Sequence, residues 1–72
     1  MKTKISELRK EKRLSQQALA DAVGVTRQTI TSLETGKYIA SLVLAFRIAQ
    51  YFKLPIEAIF ELEEKEYMYG EL

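Results

Sequence analysis

The sequence predicts an all-α domain of five short helices, and three observations carry that prediction. Apolar residues recur at helical spacing in five separate stretches of a 72-residue chain. Four of those stretches follow a Ser, Thr or Pro suited to opening a helix, and two end at a glycine. In the middle, the segment Ser15 to Glu34 (SQQALADAVGVTRQTITSLE) reads as two helices joined by a tight turn.

Taken in order, the first helix is expected over residues 4–12, with Ile5 and Leu8 inward and Glu7, Lys10 and Glu11 outward. Ser15 then serves as N-cap for a helix from Gln16 to Val23 that buries Leu19, Ala20 and Val23, and Gly24 supplies the left-handed residue that ends it. Thr26 caps the third helix, Arg27 to Thr35, with Ile30 and Leu33 inward and Gly36 closing it. Ser41 caps the fourth, Leu42 to Phe52, in which Leu42, Ala45, Ile48, Ala49 and Phe52 follow the 3.6-residue period and should form half of the core. Pro55 suits the first turn of a fifth helix with Ile56, Ile59 and Phe60 inward. Beyond it the chain is expected to fray, with the alternative, because Ile59-Phe60-Glu61-Leu62-Glu63 alternates, of a short terminal β-strand for which residues 1–5 are a partner. The expected division is a domain over 1–62 and an acidic tail over 63–72 that carries Tyr67, Met68 and Tyr69.

Composition narrows the function classes. An apolar fraction of 47% suffices for a core, but 72 residues lie near the lower limit for a self-sufficient one. Such a domain relies on efficient helix packing or on dimerisation. The sequence contains neither Cys nor His, which leaves no disulfide, no thiolate site and no ordinary zinc set. No metal and no cofactor is expected. No apolar run approaches the roughly 20 residues that span a bilayer, and the opening Met1-Lys2-Thr3-Lys4 does not resemble a secretory leader. A cytoplasmic location with no membrane association follows as the default expectation. Net charge is only +1, yet it is unevenly placed. Residues 1–53 hold ten Lys/Arg against four Asp/Glu, whereas residues 54–72 hold Lys65 against six glutamates. A basic body with an acidic end suits a partner rich in phosphate on one side only.

Within Ser15–Glu34, Ala20, Gly24, Val25 and Ile30 fall where two crossing helices must touch: a small residue at the approach, a glycine at the reversal, an aliphatic where the second helix docks. This is the pattern of a helix-turn-helix unit, here over residues 16–35, whose second helix can lie in the DNA major groove. With Leu8-Arg9, Leu14-Ser15-Gln16, Leu19-Ala20, Gly24-Val25, Arg27-Gln28-Thr29-Ile30, Glu34, Gly36-Lys37 and the Leu42/Ala45/Ile48/Ala49 helix, the chain resembles the small regulators of the lambda-repressor and Cro class, the xenobiotic-response-element family. The resemblance covers residues 5–60. It implies a five-helix lambda-repressor-like DNA-binding domain. Three positions depart from the family pattern: Ala40 stands where a proline is common, Lys53 where a glycine is common, and Ala18 where an acid often completes a capping box.

Spacing and resemblance together make Arg27, Gln28 and Ser32, with Thr29 beside them, the residues that read bases. Arg pairs in bidentate fashion with guanine O6/N7 and Gln with adenine N6/N7, each pairing being worth about 1–3 kcal/mol of discrimination. Gln16 at one helix start and Thr26 at the next are expected to hold phosphates, with Gln17 as a neighbour and Lys37 and Tyr38 gripping the other flank of the groove. The resemblance further implies a structural ion pair between Arg9 and Glu34, joining the first helix to the end of the recognition helix. Relatives of this kind generally act as two-fold dimers on palindromic half-sites, so a homodimer is expected through Ile56, Ile59, Phe60 and Leu62, joined by Val43 and Phe46. The leading expectation is a sequence-specific double-stranded DNA-binding protein, a dimeric transcriptional repressor of a palindromic operator with no ligand-sensing domain and no small-molecule ligand. The alternative is an antitoxin-like module whose C-terminal region contacts a partner protein. Catalysis is not expected, since no nucleophile–base pair, phosphate loop or productively spaced acids are present.

Overall fold

The computed structural model describes residues 1–64 and 66. In chain order the elements are β1 (Lys2–Thr3), α1 (Ile5–Glu11), α2 (Gln16–Val23), α3 (Arg27–Glu34), α4 (Leu42–Phe52), α5 (Ile56–Ile59) and β2 (Phe60–Glu61). The starts of α2, α3 and α4 are fixed by side-chain caps, whereas α1 and α5 begin without one. The hydroxyls of Ser15, Thr26 and Ser41 accept hydrogen bonds from the backbone N–H of Ala18 (3.0 Å), Thr29 (3.4 Å) and Leu44 (3.1 Å). Four helix ends close alike, on a left-handed residue whose successor donates five residues back: Leu14 to Arg9, Val25 to Ala20, Lys37 to Ser32 and Leu54 to Ala49. The left-handed residues are Arg13, Gly24, Gly36 and Lys53. Lys53, where the family pattern prefers glycine, thus adopts the glycine-like conformation at φ 58°.

Side chains of Ile5, Leu19, Ile30, Leu33, Ile48 and Ile59 are fully buried and form the centre of the core. Leu42 is a correction to the sequence reading, for it is 78% exposed while Leu44 is buried in its place. The reason is angular. The buried stripe Leu44, Ala45, Ile48, Ala49 and Phe52 centres on a line from which, at 3.6 residues per turn, Leu42 stands about 90° away. A helical period fixes the width of a stripe but not which edge the rest of the fold covers.

Directly after α5 the expected fraying is corrected, for the alternative strand forms at Phe60–Glu61. β1 and β2 pair antiparallel with Lys2 opposite Glu61 and Thr3 opposite Phe60, and Lys4 N–H donates to the Ile59 carbonyl at 2.9 Å. This pairing cuts α5 to four residues and turns its end over the core. Ile59 (1% exposed) is therefore enclosed by its own chain, which corrects its expected place in a dimer contact, whereas Phe60 (8%) is largely covered yet still lines an apolar cleft with Ile56 and Leu62. Leu62 remains exposed and Ile56 half-buried. The Met1 ammonium pairs with Glu63 and Glu66, tying the first residue to the segment after β2. The expectations for Tyr67, Met68 and Tyr69 lie outside the described residues. No helix among the described residues is long and apolar enough to cross a membrane.

Candidate nucleic-acid interface

Helices α2 and α3 pack against each other with Ala20 wholly buried, and the chain between them reverses at Gly24 with φ 79°. A side chain there would meet both an unfavourable backbone conformation and the guanidinium of Arg47, whose Nη1 lies 3.4 Å from the place of a Cβ. Arg47 was not singled out by the sequence reading. Its spacing within α4 is unremarkable, and only the fold brings it to the turn, where Nη1 reaches the Val23 carbonyl at 3.5 Å. The turn leaves α3 with Ile30 and Leu33 inward and Arg27 and Gln28 outward, while Thr29 and Ser32 are half-buried.

The expected base-reading residues divide between two neighbouring clefts. Gln28, Thr29 and Ser32 share one with Thr26 and Tyr38, an open depression of about 230 Å³. Arg27 lines a second, of about 390 Å³, with Arg9, Ser15, Gln16 and Gln17 at the start of α2. Consecutive residues on a helix point about 100° apart, so Arg27 and Gln28 diverge by geometry alone. Thr29 is directed toward its cap, its hydroxyl 3.2 Å from that of Thr26. Gln17 is engaged on its own helix, donating to Asp21 at 2.9 Å. Lys37 is exposed in the loop after α3 and lines neither cleft.

Beneath the second cleft lies a connected set of polar side chains. Arg9 holds Glu34 through two hydrogen bonds, Nε to Oε2 at 2.8 Å and Nη2 to Oε1 at 3.3 Å, and its Nη1 donates to the Leu14 carbonyl at 2.9 Å. The ion pair expected between α1 and the end of α3 is thus present, with the Glu34 side chain only 9% exposed. Burial alone would raise the Glu34 carboxyl, but the hydrogen bonds from Arg9 and then Gln16 outweigh it and hold the group below its ordinary value of 4.5. Gln16 donates its Nε2–H to Glu34 Oε1 at 2.9 Å. Its Oε1 accepts from Arg27 Nε at 3.3 Å and lies 3.2 Å from Thr31 Oγ1, whose one proton is shared between that oxygen and the Arg27 carbonyl, also at 3.2 Å. Thr31 is a further participant that the sequence reading missed; lying four residues after Arg27, it shares that residue's side of the helix. Among the described residues, no group of three or more metal-ligating side chains is placed to hold an ion.

A helix presented by its N-terminal turn, with two polar clefts along its outer side and a braced inner side, is the working arrangement of a helix-turn-helix unit. The family model described as Helix-turn-helix matches residues 5–59. The chain belongs to that family. It is 46% identical over 65 residues to YgzD of Bacillus subtilis, named as an uncharacterized HTH-type transcriptional regulator, covering 90% of this chain and 98% of that one. An uncharacterized HTH-type transcriptional regulator of Methanothermobacter thermautotrophicus is 55% identical over 65 residues, covering 89% and 94% of the two chains. Among solved structures, a transcriptional regulator from Listeria innocua superposes with a TM-score of 0.72 over 97% of this chain and 77% of that chain. At 21% identity that likeness speaks for the fold.

Proposed function

We propose that the protein is a sequence-specific double-stranded DNA-binding transcriptional regulator, a dimeric repressor acting on a palindromic operator. The observation that carries this reading is the first cleft. Gln28 and Ser32 on α3 face the same opening as Thr26 and Tyr38 at its two ends, so base-directed and backbone-directed groups border one strip of surface. Gln28 is the adenine reader in this reading, and Ser32, one turn further along, reaches a base near the groove wall. Arg27 contacts guanine or the adjoining phosphate from the neighbouring cleft. Gln16, Gln17, Thr26, Lys37 and Tyr38 fix the phosphate backbone. The basic balance of residues 1–53 supports the electrostatic part of the binding.

Dimerisation is proposed through the apolar surface that the fold leaves open. Ile39, Leu42, Ile56, Phe60 and Leu62 border one cleft, and Val43 and Phe46 stand exposed on α4. One copy of such a domain reads only a few base pairs, and a two-fold pair reads two half-sites about one helical turn apart. Repression follows most simply from occlusion of a promoter by such a pair. The testing experiment is selection of binding sites from a randomised duplex pool at near-physiological salt. Enrichment of a palindrome with half-sites about one turn apart is expected. Binding that is salt-sensitive but enriches no sequence would overturn the specific reading.

A further inference from the structure

The apolar cleft that borders α4, α5 and β2 has a neighbour closer than any second molecule. Ile39, Leu42, Ile56, Phe60 and Leu62 line it, around a space of about 540 Å³, and Ile39, Leu42 and Leu62 are exposed. Its charged side chains, among the described residues, are Glu57 and Glu61. A group suited to such a place is apolar in the body and donates a hydrogen bond at the tip, as a tyrosine does. Met1 also borders the cleft, and its ammonium pairs with Glu63 and Glu66. After Leu62 the chain turns back on itself, Glu66 N–H donating to the Glu63 carbonyl at 2.8 Å and Glu63 N–H to Glu66 Oε1 at 2.7 Å. Glu66 is thereby returned to Met1, at the border of the cleft that Leu62 lines. The next three residues of the sequence are Tyr67, Met68 and Tyr69.

We propose that the side chains of Tyr67, Met68 and Tyr69 cover this cleft on their own copy of the chain and so compete with a second copy for it. The span suffices, since three residues reach up to about 10 Å from Glu66. The two tyrosine rings supply apolar surface, and their hydroxyls are donors for the exposed carboxylates of Glu57 and Glu61. Met68 adds an unbranched thioether that adapts to an irregular apolar wall. A segment tethered this closely acts at an effective concentration of about a millimolar, so it holds the cleft until a second copy approaches that concentration. The effect on assembly rests on the dimer contact proposed at the same cleft, and the experiment separates the two. Both copies must be open to pair, so a cleft open in about one molecule in ten weakens dimerisation about a hundredfold.

The test uses the full chain with ¹³C-labelled methyl groups, at a dilution where sedimentation shows single copies. Nuclear Overhauser contacts are expected from the Met68 methyl to the methyls of Leu42 and Leu62, unchanged on further dilution. The combined variant Tyr67→Ser, Met68→Ser and Tyr69→Ser keeps every charge and every described residue, and a thermal melt verifies its fold. In sedimentation equilibrium it should dimerise at least about tenfold more tightly than the wild type. Absence of contacts between Met68 and the cleft would overturn the proposal. So would contacts seen only between differently labelled copies in a mixed sample, since the segment would then reach across to a second molecule. Equal dimerisation of variant and wild type would overturn the competition. If the contacts form within one copy and neither protein associates at any concentration, the covered cleft stands and the dimeric reading fails.

Discussion

Removing the Glu34 carboxylate should be the most damaging polar change available in this domain. In Glu34→Ala, Arg9 keeps its bond to the Leu14 carbonyl but loses both bonds to the carboxylate, and Gln16 loses its acceptor. Hydrogen bonds to charged groups are worth about 1.5–3 kcal/mol each, and a fully buried pair broken on one side costs about 3–5 kcal/mol. The Arg9 side chain retains 13% exposure and borders an open cleft, so water can partly reclaim its guanidinium. The expected loss is therefore below the fully buried figure, about 2–4 kcal/mol. At about 4–8 °C per kcal/mol for a domain of this size, the midpoint of thermal unfolding should fall by at least about 8 °C. Circular dichroism melts at pH 7, with urea titrations alongside, measure both quantities. The same interaction has a pH signature. Because the folded-state carboxyl lies below its ordinary value of 4.5, its contribution is fully present above that pH and is lost as pH falls through the folded-state value. The wild type should thus lose stability on acidification more steeply than Glu34→Ala, and the two curves should converge at low pH. The double change Arg9→Met with Glu34→Leu should recover part of the loss, since it leaves no unpaired charge. A fall of less than about 1 kcal/mol in Glu34→Ala would place the pair among ordinary surface ion pairs and refute the reasoning.

Other changes test separate parts of the structure. Lys53→Gly should stabilise by roughly 0.5–1 kcal/mol, because the left-handed conformation at φ 58° penalises a side chain; an unchanged urea midpoint would argue against strain there. Gly36→Ala should destabilise by about 1–2 kcal/mol in the same assay, since φ is +78° and a Cβ would lie 3.2 Å from the Met1 carbonyl oxygen. Gln28→Ala should relax base preference at one position with little change in salt dependence, whereas Lys37→Ala should weaken all duplexes alike and reduce the salt slope by roughly one. Binding isotherms over a series of salt concentrations separate the two, and an unaltered preferred sequence in Gln28→Ala would mean a different alignment of α3 in the groove. Leu62→Glu should shift sedimentation toward the monomer while leaving the melting of the single domain nearly unchanged; retention of the dimer would direct attention to Val43 and Phe46.

The parts of the fold legible in the sequence were those governed by local chemistry. Ser15 and Gly24 delimit α2, and Ser41 opens α4, because a cap is decided by a residue and its neighbours three or four positions on. What lay beyond was decided by tertiary geometry. Leu42 shares the period of its helix but not the side that α4 buries, and Phe60 has helical spacing yet turns extended, at φ −114° and ψ 137°, to pair with Thr3. The strand pair was visible as an alternation but could not outrank fraying until the first residues met it. At the interface, the residue types were readable and their grouping was not. That Gln28 and Arg27 open into different clefts follows from helix geometry, whereas the joining of Gln16 to Glu34 across eighteen positions depends on how α2 and α3 cross.

For the proposed two-fold pair on a palindromic operator, the strand pair bears on the spacing between half-sites. β1 lies against α3 on one side and is hydrogen-bonded to β2 on the other, and Leu62 follows β2 directly. The path from the reading helix to the proposed dimer surface thus runs through packed or paired residues, without a slack linker. In a two-fold pair built on Leu62, it acts as a ruler of fixed length. Inserting one base pair between half-sites moves them apart by about 3.4 Å and rotates one against the other by roughly 35°. A body without slack follows neither change, so operators altered only in spacer length should be rejected even when every contacted base is kept.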